Sequence, residues 1–205
     1  MDETTVGIIG AVLGFVGVIV GSLLSFLTDY FRHHIATKKE AAYLAIQLSN
    51  RLERFAIGCA DIIRDDGLSY GQRDERGCKV TQVSVPTFDP HSVDVNWRSI
   101  PAALMDEVIY LPMEVETANS QIAGAGEHTF PPDFEEFYEG RQYQYSILGE
   151  KAVRLAARFR VYAGLVSRHL NQWNSEKYFS DEKLKIEHIR ETRAATYQNL
   201  DAVDL

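Results

Sequence analysis

Cysteine is scarce in this chain: Cys59 and Cys78 are the only two in 205 residues. That excludes a disulfide framework and a structural zinc cluster, each of which needs more thiols or a thiol–histidine set at fixed spacing. In a reducing compartment both are expected as free thiols, with Cys59 on an apolar stripe and Cys78 in a loop. Positive charge is also short. The 21 basic residues against 29 acidic ones leave a net charge of −8, so a generally basic nucleic-acid binder is excluded and no nucleic-acid partner is expected. Motifs that carry chemistry are missing too. There is no G-x-S-x-G, H-E-x-x-H, C-x-x-C, phosphate-binding G-x-x-x-x-G-K-[ST] or EF-hand loop, and no Glu-x-x-His pair of the di-iron bundles. His33 and His34 are adjacent, so on a helix they face different sides. The sequence therefore nominates no catalytic residue, no cofactor, no metal and no small-molecule substrate. Internal repeats and low-complexity segments are absent as well.

One long apolar run is present. Val6 to Leu27 carries no charge, and as a helix it measures about 33 Å against a hydrocarbon core of about 30 Å. A cleaved signal peptide fits poorly, because the preceding MDETT has acids and no base and no A-x-A-like site follows. The reading is a transmembrane helix over 6–27, after a short extracytoplasmic tail over 1–5. Arg32, Lys38 and Lys39 lie beyond its C-terminal end, within a juxtamembrane basic segment over 28–37 and just past it. The positive-inside rule then puts the N-terminus outside and the body in the cytoplasm of a single-pass inner-membrane protein, with the lipid bilayer as a partner. Gly7, Gly10, Gly14, Gly17 and Gly21 are spaced 3, 4, 3, 4, and Ser25 extends the line. On a helix they fall within an arc of about 80°. That seam suggests close helix–helix association, with a copy of the chain or with another membrane protein.

The remainder, 38–205, reads as a mainly α cytoplasmic domain: an antiparallel helical bundle with one irregular or short β excursion. A helix over about 38–65 has the stripe Ala41, Leu44, Leu48, Leu52, Phe55, Cys59 and Ile62, with Gly67 suited to its C-terminal cap. No Pro or Gly interrupts the join to the preceding apolar run, which leaves both a break and a continuous stalk open. Residues 67–98, with Gly67, Gly71, Gly77, Pro86 and Pro90, form the excursion, and Lys79–Val85 is its β-prone part. A third helix has Ser99 as N-cap and Pro101 in its first turn. Its stripe is Leu104, Val108, Leu111, Val115, Ala118 and Ile122, with Pro112 expected to kink or split it. The longest helix opens at Pro131-Pro132-Asp133 and runs to about Trp173, with Arg141 where an apolar residue is due. A last helix begins near Ser180 and uses Ile186, Ile189, Tyr197 and Leu200. Apolar stripes need one another, which makes a bundle the economical fold.

Several short segments carry a resemblance. Cys59-Ala60-Asp61, Asp65-Asp66-Gly67, Gly71-Gln72-Arg73-Asp74 and Gly77-Cys78 are followed by Val95-Asn96-Trp97-Arg98-Ser99-Ile100. Pro131-Pro132-Asp133-Phe134-Glu135-Glu136-Phe137 and Arg141-Gln142 complete the set. In this order, over residues 42–165, the chain resembles a family of uncharacterised bacterial proteins with a helical domain. The resemblance implies a bacterial origin; it brings no established activity and no functional residue.

Charge is segregated along the body. Residues 99–140 hold nine acids and no base, whereas 141–175 hold six bases against Glu150 alone. Lys151, Arg154, Arg158 and Arg168 line one flank of the longest helix. They either pair internally with the acidic helix or face anionic lipid or an acidic partner, and internal pairing is the simpler reading. Tyr138 and Tyr143 lie off the apolar stripe, which makes them candidates for a partner surface. The functional expectation is a membrane-anchored interaction protein: a scaffold, regulator or sensor component of a membrane assembly. The alternative is an oligomerising membrane effector that perturbs the bilayer, and behind it an enzyme with an unrecognised site.

Overall fold

A computed structural model describes residues 3–93, 96–127, 129–166 and 174–201, with the side chains of 3–20 and 197–201 outside that description. Its described residues form four α-helices and no strand: α1 (Glu3–Arg64), α2 (Ala102–Gly126), α3 (Glu135–Tyr162) and α4 (Ser175–Asp201). Two 3₁₀ turns, Pro90–Ser92 and Trp97–Ser99, punctuate the segment between α1 and α2. The chain is mainly helical and its body is a helical bundle. Helix α3 sits at the centre and packs against α1, α2 and α4.

Helix α1 settles the join that the sequence leaves open: it is one continuous helix of 62 residues. From Ala41 onward its stripe is buried, with Leu44, Ala45, Leu48, Leu52, Cys59 and Ile62 fully covered. Each such Leu or Ile contributes about 1.5–3 kcal/mol relative to an exposed side chain. From α3, Tyr145, Leu148, Ala152, Leu155 and Phe159 meet them; from α2, Leu104, Val108, Leu111, Ala118 and Ile122 complete the core. Helix α4 docks through Phe179, fully buried, and Ile186. The Phe179 ring lies where a Cβ on Gly149 would stand, 2.3 Å from its Cε1. Only glycine lets α4 approach α3 that closely.

Placement in a membrane is corrected. Among the described residues no helix is long and apolar enough to cross one. The single-pass inner-membrane localisation, with its outside N-terminus and cytoplasmic body, does not stand on this helix. Gly7, Gly10, Gly14 and Gly17 lie outside the residues whose side chains are described. Gly21 and Ser25 are exposed, and nothing comes within 4 Å of a Cβ built on Gly21. The glycine zipper is therefore not supported.

Smaller differences have local causes. Lys79–Val85 forms no strand, because its backbone donors are taken elsewhere: Lys79 N–H by Pro132 O, Val80 N–H by Gly67 O, and those of Gln82 and Val83 by the Asp65 carboxylate. Ser99 closes a 3₁₀ turn instead of capping α2, which starts after Pro101. Pro112 is accommodated inside α2 without splitting it. Helix α3 stops at Tyr162 and not near Trp173, since Gly164 adopts φ +72° and turns the chain. Trp173 lies outside the described residues. Helix α4 begins five residues before the expected Ser180, at Ser175.

Candidate functional site

The odd residue in the α3 stripe, Arg141, has a structural partner. Its Nη1 donates to Asp65 Oδ2 at 2.7 Å, with side chains only 5% and 1% exposed, and Nη2 donates to Val83 O. Asp65, just past the end of α1, also accepts the N–H groups of Gly67, Gln82 and Val83 at 2.9–3.0 Å. Burial alone would raise the Asp65 carboxyl. Arg141 and the three backbone donors outweigh it and hold the group below its ordinary value. Four hydrogen bonds on one buried carboxylate clamp the excursion to the ends of α1 and α3. A second pair, half-buried at its Glu53 end, ties the same helices: Arg160 reaches Glu53 through Nε at 2.5 Å and Nη2 at 2.9 Å, in the bidentate manner of a guanidinium on a carboxylate. Both pairs are structural.

The basic flank of α3 is neutralised inside the molecule. Lys151 Nζ lies 2.5 Å from Glu114, Arg158 2.6 Å from Glu107, and Arg154 2.6 Å from Glu150 and 2.9 Å from Glu176. The hydrogen bond from Arg158 holds the Glu107 carboxyl below its usual range. Two of these acids lie on α2, so the acidic and basic helices complement each other. Arg168 lies outside the described residues. Tyr138 is no partner surface: at 7% exposure it is buried beneath the turn at Gly67, where a Cβ would meet its hydroxyl at 2.3 Å. Tyr143 is half-buried, donates to Glu187 Oε1 at 3.0 Å, and is covered by the Arg190 guanidinium 4.4 Å from its ring centroid. Cys59 and Cys78 are free thiols; burial pushes the Cys59 thiol far above its ordinary range, so it is an inert core residue. Among the described residues no group of His, Cys, Asp and Glu is arranged to hold a metal.

Among the described residues two surfaces stand out. The first is α1 before the body. Every residue from Gly21 to Glu40 is exposed, on all faces of the helix, including Leu23, Leu24, Phe26, Leu27, Tyr30, Phe31 and Ile35 at 43–68%. A globular surface seldom leaves so many large apolar side chains together. Positions 24, 27, 31, 34, 38, 41, 45, 48, 52, 55, 59 and 62 are spaced alternately 3 and 4. From Ala41 onward this line is the buried core seam. Before Ala41 the same line continues outward as Leu24, Leu27 and Phe31, broken by His34 and Lys38. The stripe from Ala41 onward was legible in sequence; that Leu24, Leu27 and Phe31 share its phase shows only once the open join is a continuous helix.

The second surface is a cleft of about 890 Å³ between α1 and the excursion. Beneath it Phe55 and Phe88 pack in the core, with ring centroids 5.9 Å apart, and Ile57, 44% exposed, is its open apolar residue. At one end Pro86 presses onto the backbone of Gly58, where a Cβ would come within 2.6 Å. Arg51 and Arg54, one turn apart on α1, stand along its wall. Sequence reasoning missed both arginines, since nothing local tells a solvated helix face from one that a later loop covers. Comparison with protein-family models, with curated proteins and with solved structures finds no match. The sequence resemblance thus gains no support from them.

Proposed function

We propose that the chain is an interaction protein, a helical bundle that pairs with a second copy of itself along the projecting part of α1 and serves as a scaffold, regulator or sensor component. One observation carries the reading: the exposed seam at Leu24, Leu27 and Phe31 continues the heptad phase of the buried core seam. A sustained 3–4 repeat is the pattern that winds helices around each other. The second copy is favoured as the occupant because the positions flanking this seam, Thr28, Tyr30, Ile35 and Thr37, carry no charge. Like chains therefore meet without repulsion at the flanks that set partner choice. Lys38, a single basic residue on the seam, fixes register at some cost in stability. Burying each Leu or Phe contributes about 1.5–3 kcal/mol, and three per chain set against an association cost of about 4–15 kcal/mol give the seam its drive.

Sedimentation of the full-length chain in a mild non-ionic detergent tests this. The parent is expected as a dimer, and Leu27→Glu with Phe31→Glu as a monomer with an unchanged helical spectrum. Ser25→Glu with His33→Glu, off the seam, should stay dimeric. A monomeric parent, or a seam variant that still pairs, contradicts the proposal. So does recovery of the parent as a monomer on phosphatidylcholine vesicles.

A further inference from the structure

The cleft between α1 and the excursion has the makings of a ligand site independent of the α1 seam. Its volume, about 890 Å³, lies in the range of small-molecule sites. Its two arginines are unlike most others of the body. Arg64, Arg73, Arg141, Arg154, Arg158, Arg160, Arg190 and Arg193 each meet a carboxylate. Among the described residues Arg51 and Arg54 meet none, as is also true of Arg32, Arg76 and Arg98, but these two share one cleft. Arg51 donates to the Ser92 hydroxyl, and Arg54 is exposed with no hydrogen-bond partner. In a chain of net charge −8, two such guanidiniums on one face of a cleft are a local exception. Two carboxylates also line the cleft: Asp61, 3.4 Å from Arg64, and Asp89, which accepts the His91 N–H. On the opposite wall the Ser84 and Thr87 hydroxyls are exposed and make no internal hydrogen bond among the described residues.

We infer that this cleft binds a small organic phosphate, with the phosphoryl group between Arg54, Arg51 and the Ser84 and Thr87 hydroxyls and an apolar group against Ile57 and Pro86. Guanidinium forks match the oxygens of a phosphate, and a dianion with several acceptors uses two of them together with hydroxyl donors. The apolar lining selects an ester over the free ion, because covering Ile57, 44% exposed, and Pro86 contributes binding that inorganic phosphate cannot obtain. The clamp at Asp65 holds Gln82 and Val83 and so fixes the wall that carries Ser84.

Isothermal titration of the full chain with phenyl phosphate and with inorganic phosphate tests the assignment. Phenyl phosphate is expected to bind saturably and at least about tenfold more tightly than inorganic phosphate. Arg54→Gln should weaken it by about tenfold or more, the loss of one charged hydrogen bond. Thermal unfolding should be unchanged, since Arg54 makes no internal hydrogen bond. Ser84→Ala gives a smaller loss in the same direction. No saturable binding of phenyl phosphate overturns the inference. Equal affinity for the two probes, or unchanged binding in Arg54→Gln, overturns it as well.

Discussion

Asp65 shows how one side chain organises a segment that has no secondary structure of its own. Its carboxylate replaces the strand partner that Gln82 and Val83 lack and caps the turn at Gly67. Arg141 supplies the countercharge. Removing the charge leaves a buried guanidinium unpaired, so Asp65→Asn is expected to destabilise the body by about 3–5 kcal/mol at neutral pH. The pH dependence follows from the direction of the shift. The folded carboxyl titrates below the unfolded one. Its stabilisation is therefore complete above about pH 4 and lost as pH falls through the lowered folded pKa. Urea midpoints of parent and variant should converge on acidification, and a constant gap down to pH 2 would contradict the charged pair. Arg141 was visible in sequence as a charge in an apolar stripe. Its partner was not, because the two lie 76 residues apart and periodicity speaks only for its own helix. Tyr138 misled for the same reason: it lies off the α3 stripe, yet the Gly67 turn comes from another part of the chain to cover it.

At the scale of elements, helices were legible where the stripe was long and local, as in α2, whose five buried residues all belong to its 3–4 pattern. Ends were less legible. Gly164 terminates α3 by a left-handed turn, although the apolar residues beyond it continue a helical spacing. The excursion read as β-prone from Val80, Val83 and Val85, but β-propensity needs a neighbouring strand to satisfy the backbone. Here a side chain does so. Docking of α4 rests on contact geometry that no propensity encodes. Gly149→Ala puts a methyl inside the Phe179 ring and is expected to lift α4 from α3. Gly140→Ala, whose new methyl would meet only Ala125 at 3.6 Å, should be neutral. Hydrogen exchange over residues 175–196 checks this: protection should fall by about tenfold or more in the first variant and hold in the second. Equal protection in both would mean that Phe179 finds another seat at no cost.

For the whole molecule, the balance of charge is an internal matter. Acids of α2 and bases of α3 pair with each other, and the flank that resembled a surface for anionic lipid is largely spent within the bundle. What remains outward is the α1 projection, whose apolar residues have no cover in the described structure, and the cleft whose Arg51 and Arg54 meet no carboxylate among the described residues. The central claim is that the projection pairs along a seam in phase with the core. Cysteine scanning of positions 23–31, one at a time in the full-length chain with Cys78→Ser, reads that seam directly under mild oxidation. Cys59 is buried and silent. Disulfide-linked dimers should peak at 24, 27 and 31 and be weak at 25, 26 and 29, following the heptad phase. Yields that are uniformly low, or flat across the scan, would contradict it.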